Sequence, residues 1–322
     1  MNIILEPAKR VYRRARGLYS RSMESLDNRL NERVSGTDFP PVFILGAPRT
    51  GTTLIYQCLC QSLELSYLCN FASGHFRYAA TATALASKVT SIEPPESYAN
   101  KYGTTAGWSA PSQGNKFWAR WFPSDQSYVS TMDDKALRQV VGSVARMEHA
   151  CKTPFINKVQ GHCARILPLM EAFPDAVFIR VGREYVPTVQ SILRGRRTFH
   201  KDEGQWFSVK PSSFESIRQE PLITQICLQI KGVEDDIARD LAQNGTCLVV
   251  DISYEDFCKD PRGFISDFSQ KYLAETGYDL KVRKECPASF TIDNDQKLPD
   301  DEYEQVVGEV RKIWPNGSDM NS

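Results

Sequence analysis

Residues 40–53 read Pro-Pro-Val-Phe-Ile-Leu-Gly-Ala-Pro-Arg-Thr-Gly-Thr-Thr, and few folds accept such a stretch. Four apolar residues after the Pro40-Pro41 punctuation suit a short strand covered on both faces. Gly46 and Gly51 bracket a turn in which backbone can wrap closely around an anion. A helix beginning Thr53-Leu54-Ile55-Tyr56 then offers free N–H groups and the positive end of its dipole to a phosphate or sulfate. The stretch predicts a phosphate loop between a buried strand and a helix.

In a Walker A loop, G-x-x-x-x-G-K-[ST], a lysine follows the second glycine. Here Thr52 stands at that position, and the cation has moved into the loop as Arg49. Pro48-Arg49-Thr50-Gly51-Thr52-Thr53 resembles the Pro-[Lys/Arg]-[Ser/Thr]-Gly-Thr-Thr loop of sulfotransferases that use PAPS (3′-phosphoadenosine-5′-phosphosulfate). The resemblance implies that Arg49, Thr50, Gly51, Thr52 and Thr53 hold the 5′-phosphosulfate. The Arg49 guanidinium would meet charge that grows as the S–O bond breaks. An ordinary Gly-rich turn is the alternative.

Further segments extend the resemblance. In Val181-Gly182-Arg183 through Ser191, an arginine ends a strand and a serine follows eight residues on, the spacing of the family's 3′-phosphate site; Glu184-Tyr185 depart from the usual turn residues. Tyr254-Glu255-Asp256-Phe257 is similar to a segment whose tyrosine approaches the adenine, which makes Tyr254 a cofactor-site candidate and leaves Glu255 a structural role. Trp206-Phe207-Ser208-Val209-Lys210-Pro211 also resembles a segment of bacterial members, and packing is its expected role. Lys158 matches the lysine of a Lys-Thr-His motif and is implied to stabilise the bridging oxygen or sulfate. Two positions on, however, Gln160 replaces the family's basic histidine. Two bases remain as candidates, His75 beyond the loop helix and His162. A neutral imidazole, with an ordinary pKa of about 6.5, suits the task. His149 and His200 read as surface residues.

Along the chain, strands are expected at 155–158, 176–181 and 246–252. Helices are expected at 133–150, 164–173, 185–194, 221–243, 261–276 and 300–314, with a loop over 285–299. Alternating strands and helices imply parallel pairing, hence a three-layer α/β/α fold around a central parallel sheet, the P-loop-like sulfotransferase fold. Residues 39–322 read as one domain. Residues 91–130, rich in Pro, Gly, Ser and aromatics (Trp108, Trp118, Trp121, Phe122), read as an irregular insertion over the mouth of the site. Those aromatics suit either an acceptor pocket or packing under a long loop. Residues 1–38 read as a basic amphipathic helical extension, with Val11, Ala15, Leu18, Ser22, Leu26 and Leu30 at helical spacing. Two readings stay open: packing on the domain with a solvated basic face, or docking on a membrane surface or partner.

Lys+Arg and Asp+Glu are equal at 39 each, so net charge points to no nucleic-acid partner, and any anion site is local. Nine cysteines with no C-x-x-C pair suggest buried thiols in a reducing compartment rather than a disulfide framework or zinc site. The N-terminal apolar run is too short for a signal peptide, and a cytoplasmic location is expected. Together these features predict in-line transfer of the sulfuryl group of PAPS to a hydroxyl or amine of a small molecule or glycan, with no metal required. The alternatives are a P-loop nucleotide kinase or NTPase, and a catalytically inactive sulfotransferase-like binding protein.

Overall fold

The structure is a computed structural model that describes residues 5–101, 103–200, 202–243 and 247–315. In chain order come α1 (Leu5–Asn31), β1 (Val42–Leu45), α2 (Thr52–Ser62), β2 (Ser66–Tyr67), α3 (Asn70–Gly74) and α4 (Ala79–Val89). Next are β3 (Asn100–Lys101), β4 (Thr104–Thr105), α5 (Asn115–Trp118), α6 (Asp134–Cys151), β5 (Phe155–Asn157), α7 (Ile166–Ala172) and β6 (Val177–Gly182). The remainder comprises α8 (Tyr185–Phe199), α9 (Phe214–Ile217), α10 (Leu222–Ala242), β7 (Val249–Ser253), α11 (Tyr254–Lys259), α12 (Pro261–Thr276) and α13 (Asp300–Ile313).

Five strands form the central sheet in the order β2-β5-β1-β6-β7, and every pairing in it is parallel. Val42, Phe43, Ile44 and Leu45 of β1 are all buried, as a strand covered by helices on both faces must be. The expected three-layer α/β/α fold with a parallel sheet is therefore present. Each strand around the centre ends where a candidate residue begins: β1 runs into the glycine loop, β5 into Lys158, β6 into Arg183 and β7 into Tyr254. Open α/β sheets bind ligands outside these carboxyl ends.

Most expected boundaries lie within a few residues of those observed. Helix α8 runs five residues beyond its expected end, to Phe199. Strand β7 starts at Val249, later than expected, and residues 244–246 lie outside the described ones. The 91–130 segment carries a two-stranded antiparallel ladder, β3 with β4, and the short α5. Its Phe117, Trp118 and Phe122 are buried in the core, with Trp118 Nε1 donating to Asn157 Oδ1 at 2.9 Å. Of the two readings of these aromatics, packing is the one that the positions of Trp118 and Phe122 support, whereas Trp108 is half exposed.

Two expectations need correction. Cys58 of α2 pairs with Cys286 in a single disulfide, their Cα atoms 6.6 Å apart. The partners stand 228 residues apart, so spacing along the chain gave no sign of the pair. The second correction concerns α1, which does not pack on its apolar stripe. Leu18 and Leu26 are 66% and 46% exposed, while Asp27 and Asn31 are fully buried; the side chains of Val11 and Ala15 lie outside the described ones. Asp27 Oδ1 accepts from Arg146 Nη1 at 3.0 Å and from Thr81 Oγ1 at 2.7 Å, and Arg146 also donates to Asn31 Oδ1 at 2.6 Å. A carboxylate whose lone pairs are met by guanidinium and hydroxyl donors is tolerated in the interior. Gly142 of α6 admits this close approach, because a Cβ there would stand 1.9 Å from Asn31 O.

Candidate active site

The loop after β1 is built by backbone geometry. Gly51 lies in the left-handed region at φ +82°, and a Cβ on it would sit 2.3 Å from the Tyr254 ring. Arg49 also holds a left-handed conformation, φ +72°, which for a non-glycine residue costs of order 1–3 kcal/mol and tends to persist at functional sites. Helix α2 starts at Thr52 with no side-chain cap on Gly51, so its first turn faces the cleft with its N–H dipoles uncapped by side chains. Thr50 is turned the other way. It is buried, and its hydroxyl donates to Ala47 O at 2.8 Å, so it shapes the loop from within rather than lining the cleft.

A cleft of about 440 Å³ opens here, lined by Arg49, Gly51, Thr52, Thr53, Lys158, Arg183 and Tyr254 among others. Arg183 ties it together. Its Nη1 donates to Arg49 O at 3.0 Å, its Nη2 to Asn294 Oδ1 at 2.8 Å and to Asp293 O, and its guanidinium lies 4.4 Å over the Tyr254 ring. Ser191 joins from α8, accepting from Arg49 Nε at 2.9 Å. Burial pushes the Tyr254 phenol up to about 12, so it stays neutral.

Lys158 Nζ lies 3.3 Å from Thr53 Oγ1 and 3.4 Å from Gln113 Oε1. Burial, with Arg49 adding to it, lowers its ammonium to about 8. Gln160, at the position where the resemblance implies a histidine, lines the cleft and donates to Gly46 O. A carboxamide there can hold a carbonyl but cannot take a proton at ordinary pH.

Neither candidate histidine reaches the cleft. His75 follows α3 with Nδ1 2.9 Å from Phe71 O, its ring between those of Phe71 and Tyr78. His162 is fully buried; its Nε2 lies 2.9 Å from Asn157 Oδ1, and its Nδ1 accepts from Arg165 Nε at 3.2 Å. Burial, then the Arg165 and Lys158 charges, hold the His162 imidazole well below its ordinary range. It is a neutral core residue packed edge-on against Trp118.

Sequence reasoning missed several lining residues. Gln113, Asn115 and Gln126 come from the irregular 91–130 segment, and Asp293 from the loop before α13. Phe207 and Ser208 also line the cleft, so the Trp206–Pro211 segment reaches the site as well as packing. Its likeness to bacterial members was the available signal. Glu255 has the structural part expected of it, accepting from Asn294 Nδ2 at 2.9 Å. Asp293 is the only carboxylate among the described lining residues, and its bond to Lys297 holds it below the ordinary carboxylate range. Among the described residues no group of three or more His, Cys, Asp or Glu could hold a metal ion, and no helix is long and apolar enough to cross a membrane.

The profile of the Sulfotransferase family matches residues 40–268, from the proline pair before β1 into α12. The chain belongs to the sulfotransferase family. Among solved structures it is similar to the sulfotransferase STF9 from Mycobacterium avium (15% identity, TM-score 0.49, 78% of this chain and 69% of that one). It is also similar to STF1 from Mycobacterium tuberculosis (14%, TM-score 0.45, 79% and 72%), and to a sulfotransferase from Alicyclobacillus acidocaldarius (17%, TM-score 0.40, 86% and 94%). No curated protein matches the chain in sequence. Within a sulfotransferase, the convergence of Arg49, Lys158 and Arg183 gives the cleft its positive lining.

Proposed function

We propose that this sulfotransferase uses PAPS as donor and transfers its sulfuryl group to a hydroxyl or amine of a small molecule or glycan, releasing 3′,5′-ADP. The observation that carries the reading is the convergence of four strand ends on one cleft, supplying Arg49, Lys158, Arg183 and Tyr254. That donor set suits a ligand with separated anionic groups and a planar base.

PAPS, when bound, supplies the sulfuryl group and a leaving phosphate. Arg183 would hold the 3′-phosphate, exchanging its contacts to Asp293 O and Asn294 for phosphate oxygens. Tyr254 would pack against the adenine side. The first turn of α2, with Thr52 and Thr53, would face the 5′ end. Lys158 and Arg49 would stabilise charge as it develops at the leaving oxygen, a preorganised electrostatic contribution of the kind that dominates many enzymes.

A second reading, a sulfotransferase-like protein that binds PAPS without turnover, is favoured by one observation: Gln160 stands at the expected base position. Incubation with radiolabelled PAPS and panels of phenols, alcohols, amines and oligosaccharides separates the two. Label transfer to an acceptor supports the enzyme. Binding of 3′,5′-ADP with no transfer to any acceptor supports the second reading.

A further inference from the structure

The polar packing of α1 leaves an unusual face outward. Leu18, Tyr19 and Leu26 are 66%, 59% and 46% exposed, and Arg21 and Arg29 are exposed beside them. The face continues as a run of rings. Tyr19 meets Tyr78 at 6.3 Å, Tyr78 meets His75 at 5.5 Å, and His75 meets Phe71 at 4.6 Å between centroids. Phe71 N donates to the carbonyl of Trp108, itself half exposed. On α4, Leu85 and Val89 are also exposed; they lie one and two turns beyond Thr81, the residue bonded to Asp27. Burying Asp27 and Asn31 is what turns this apolar and aromatic surface toward solvent.

Charge along the sequence is uneven in the same region. Residues 9–21 contain Lys9, Arg10, Arg13, Arg14, Arg16 and Arg21 with no acidic residue, in a chain whose Lys+Arg and Asp+Glu totals, these included, are 39 each. The remainder of the chain is therefore net acidic, and the positive charge is concentrated on α1. Tyrosine, tryptophan and histidine carry an apolar body with a polar tip, which suits the headgroup region of a bilayer. Basic residues beside a shallow apolar strip favour anionic lipid. A second copy fits poorly, because a two-fold contact would set one basic strip against another.

We propose that the face formed by α1 and residues 71–78 docks this protein on an anionic lipid surface. The Trp108 end of the strip belongs to the same 91–130 segment that supplies Gly103 and Gln113 to the cleft. The inference does not depend on the identity of the donor.

Co-sedimentation of the protein with vesicles tests it. Vesicles containing phosphatidylserine should bind it at least about tenfold more tightly than phosphatidylcholine alone, with affinity falling as salt rises. The Leu18→Asp/Leu26→Asp variant should lose about tenfold or more in vesicle affinity while keeping the wild-type circular dichroism spectrum and Tm, which report that the fold is intact. An Arg21→Gln/Arg29→Gln variant, altering two basic residues exposed on this helix, should weaken binding to phosphatidylserine vesicles selectively. Failure of the wild-type protein to sediment with phosphatidylserine vesicles overturns the proposal. So does undiminished binding by the Leu18→Asp/Leu26→Asp variant. A wild-type dimer in size-exclusion chromatography that the same variant splits would assign the face to a second copy instead.

Discussion

Arg49 Nε donates to Ser191 Oγ at 2.9 Å, joining the loop after β1 to the second turn of α8 across 142 residues. Arg183 closes the same circuit from the other side, donating to Arg49 O at 3.0 Å. The residues implied for the 5′-phosphosulfate and for the 3′-phosphate are thus one hydrogen-bonded unit, with Arg49 held left-handed at its centre.

That coupling has a measurable consequence. Arg49→Ala and Ser191→Ala should be non-additive in their effect on 3′,5′-ADP affinity, with an interaction energy of about 0.5–3 kcal/mol in a double-mutant cycle. Arg49→Ala should also lower turnover by roughly 10²-fold, more than it weakens 3′,5′-ADP, which lacks the sulfate. Additive effects, or unchanged turnover, would remove Arg49 from this role.

For Lys158, pH is the probe. Burial lowers its ammonium to about 8, and the charged form is the one that stabilises the leaving oxygen. kcat/KM for PAPS, which reports the free enzyme, should therefore fall as pH rises through about 8. Lys158→Met should lose most of the activity and show no such limb. A limb that persists unaltered in Lys158→Met would belong to another group.

The histidines invite the opposite expectation. His75 is bonded to Phe71 O away from the cleft lining, so His75→Ala should keep kcat within about twofold, against the roughly 10²–10⁴-fold loss typical of a general base. His162→Ala should act on stability instead. It leaves Asn157 and Arg165 short of a buried partner, at a cost of about 1–3 kcal/mol read by denaturant unfolding. A collapse of kcat in correctly folded His75→Ala would restore it as the base.

Glu148 supplies a stability test. It is fully buried on α6, accepts from Phe155 N at 2.9 Å, and is pushed up by burial to about 8. Unfolded, it ionises near its ordinary 4.5. Between these values the unfolded chain has released a proton that the folded chain keeps, so stability falls as pH rises and the loss is complete above about 8. Glu148→Gln should lack that slope, and its Tm should gain on wild type from about pH 5 to about pH 9. Parallel Tm curves would show that the carboxyl is not held neutral.

The fold was legible where burial is two-sided. Val42–Leu45 and Val177–Val181 are continuous apolar runs broken only by Arg180, and such runs mark strands under helices on both faces. Arg183 and Lys158 could be placed because each follows directly on a strand. The site was illegible where it depends on contacts distant in sequence. Asp293 and Asn294 reach Arg183 across 110 and 111 residues, from a loop with no periodicity to betray it. The inward face of α1 was illegible for a related reason. Apolar spacing predicts which stripe gains by burial, but Arg146, 119 residues from Asp27, changes which stripe the domain accepts. His75 follows the loop helix in sequence, but α3 turns it toward Phe71 O and away from the cleft.

The most direct measurement is calorimetric titration with 3′,5′-ADP, 5′-AMP and magnesium-ATP, on wild type and on Arg183→Ala. The account predicts magnesium-independent binding of 3′,5′-ADP, much weaker 5′-AMP, and a loss of about 1.5–3 kcal/mol for 3′,5′-ADP in Arg183→Ala, the size of one charge-assisted hydrogen bond. Preference for magnesium-ATP, or 3′,5′-ADP affinity unchanged by Arg183→Ala, would contradict it.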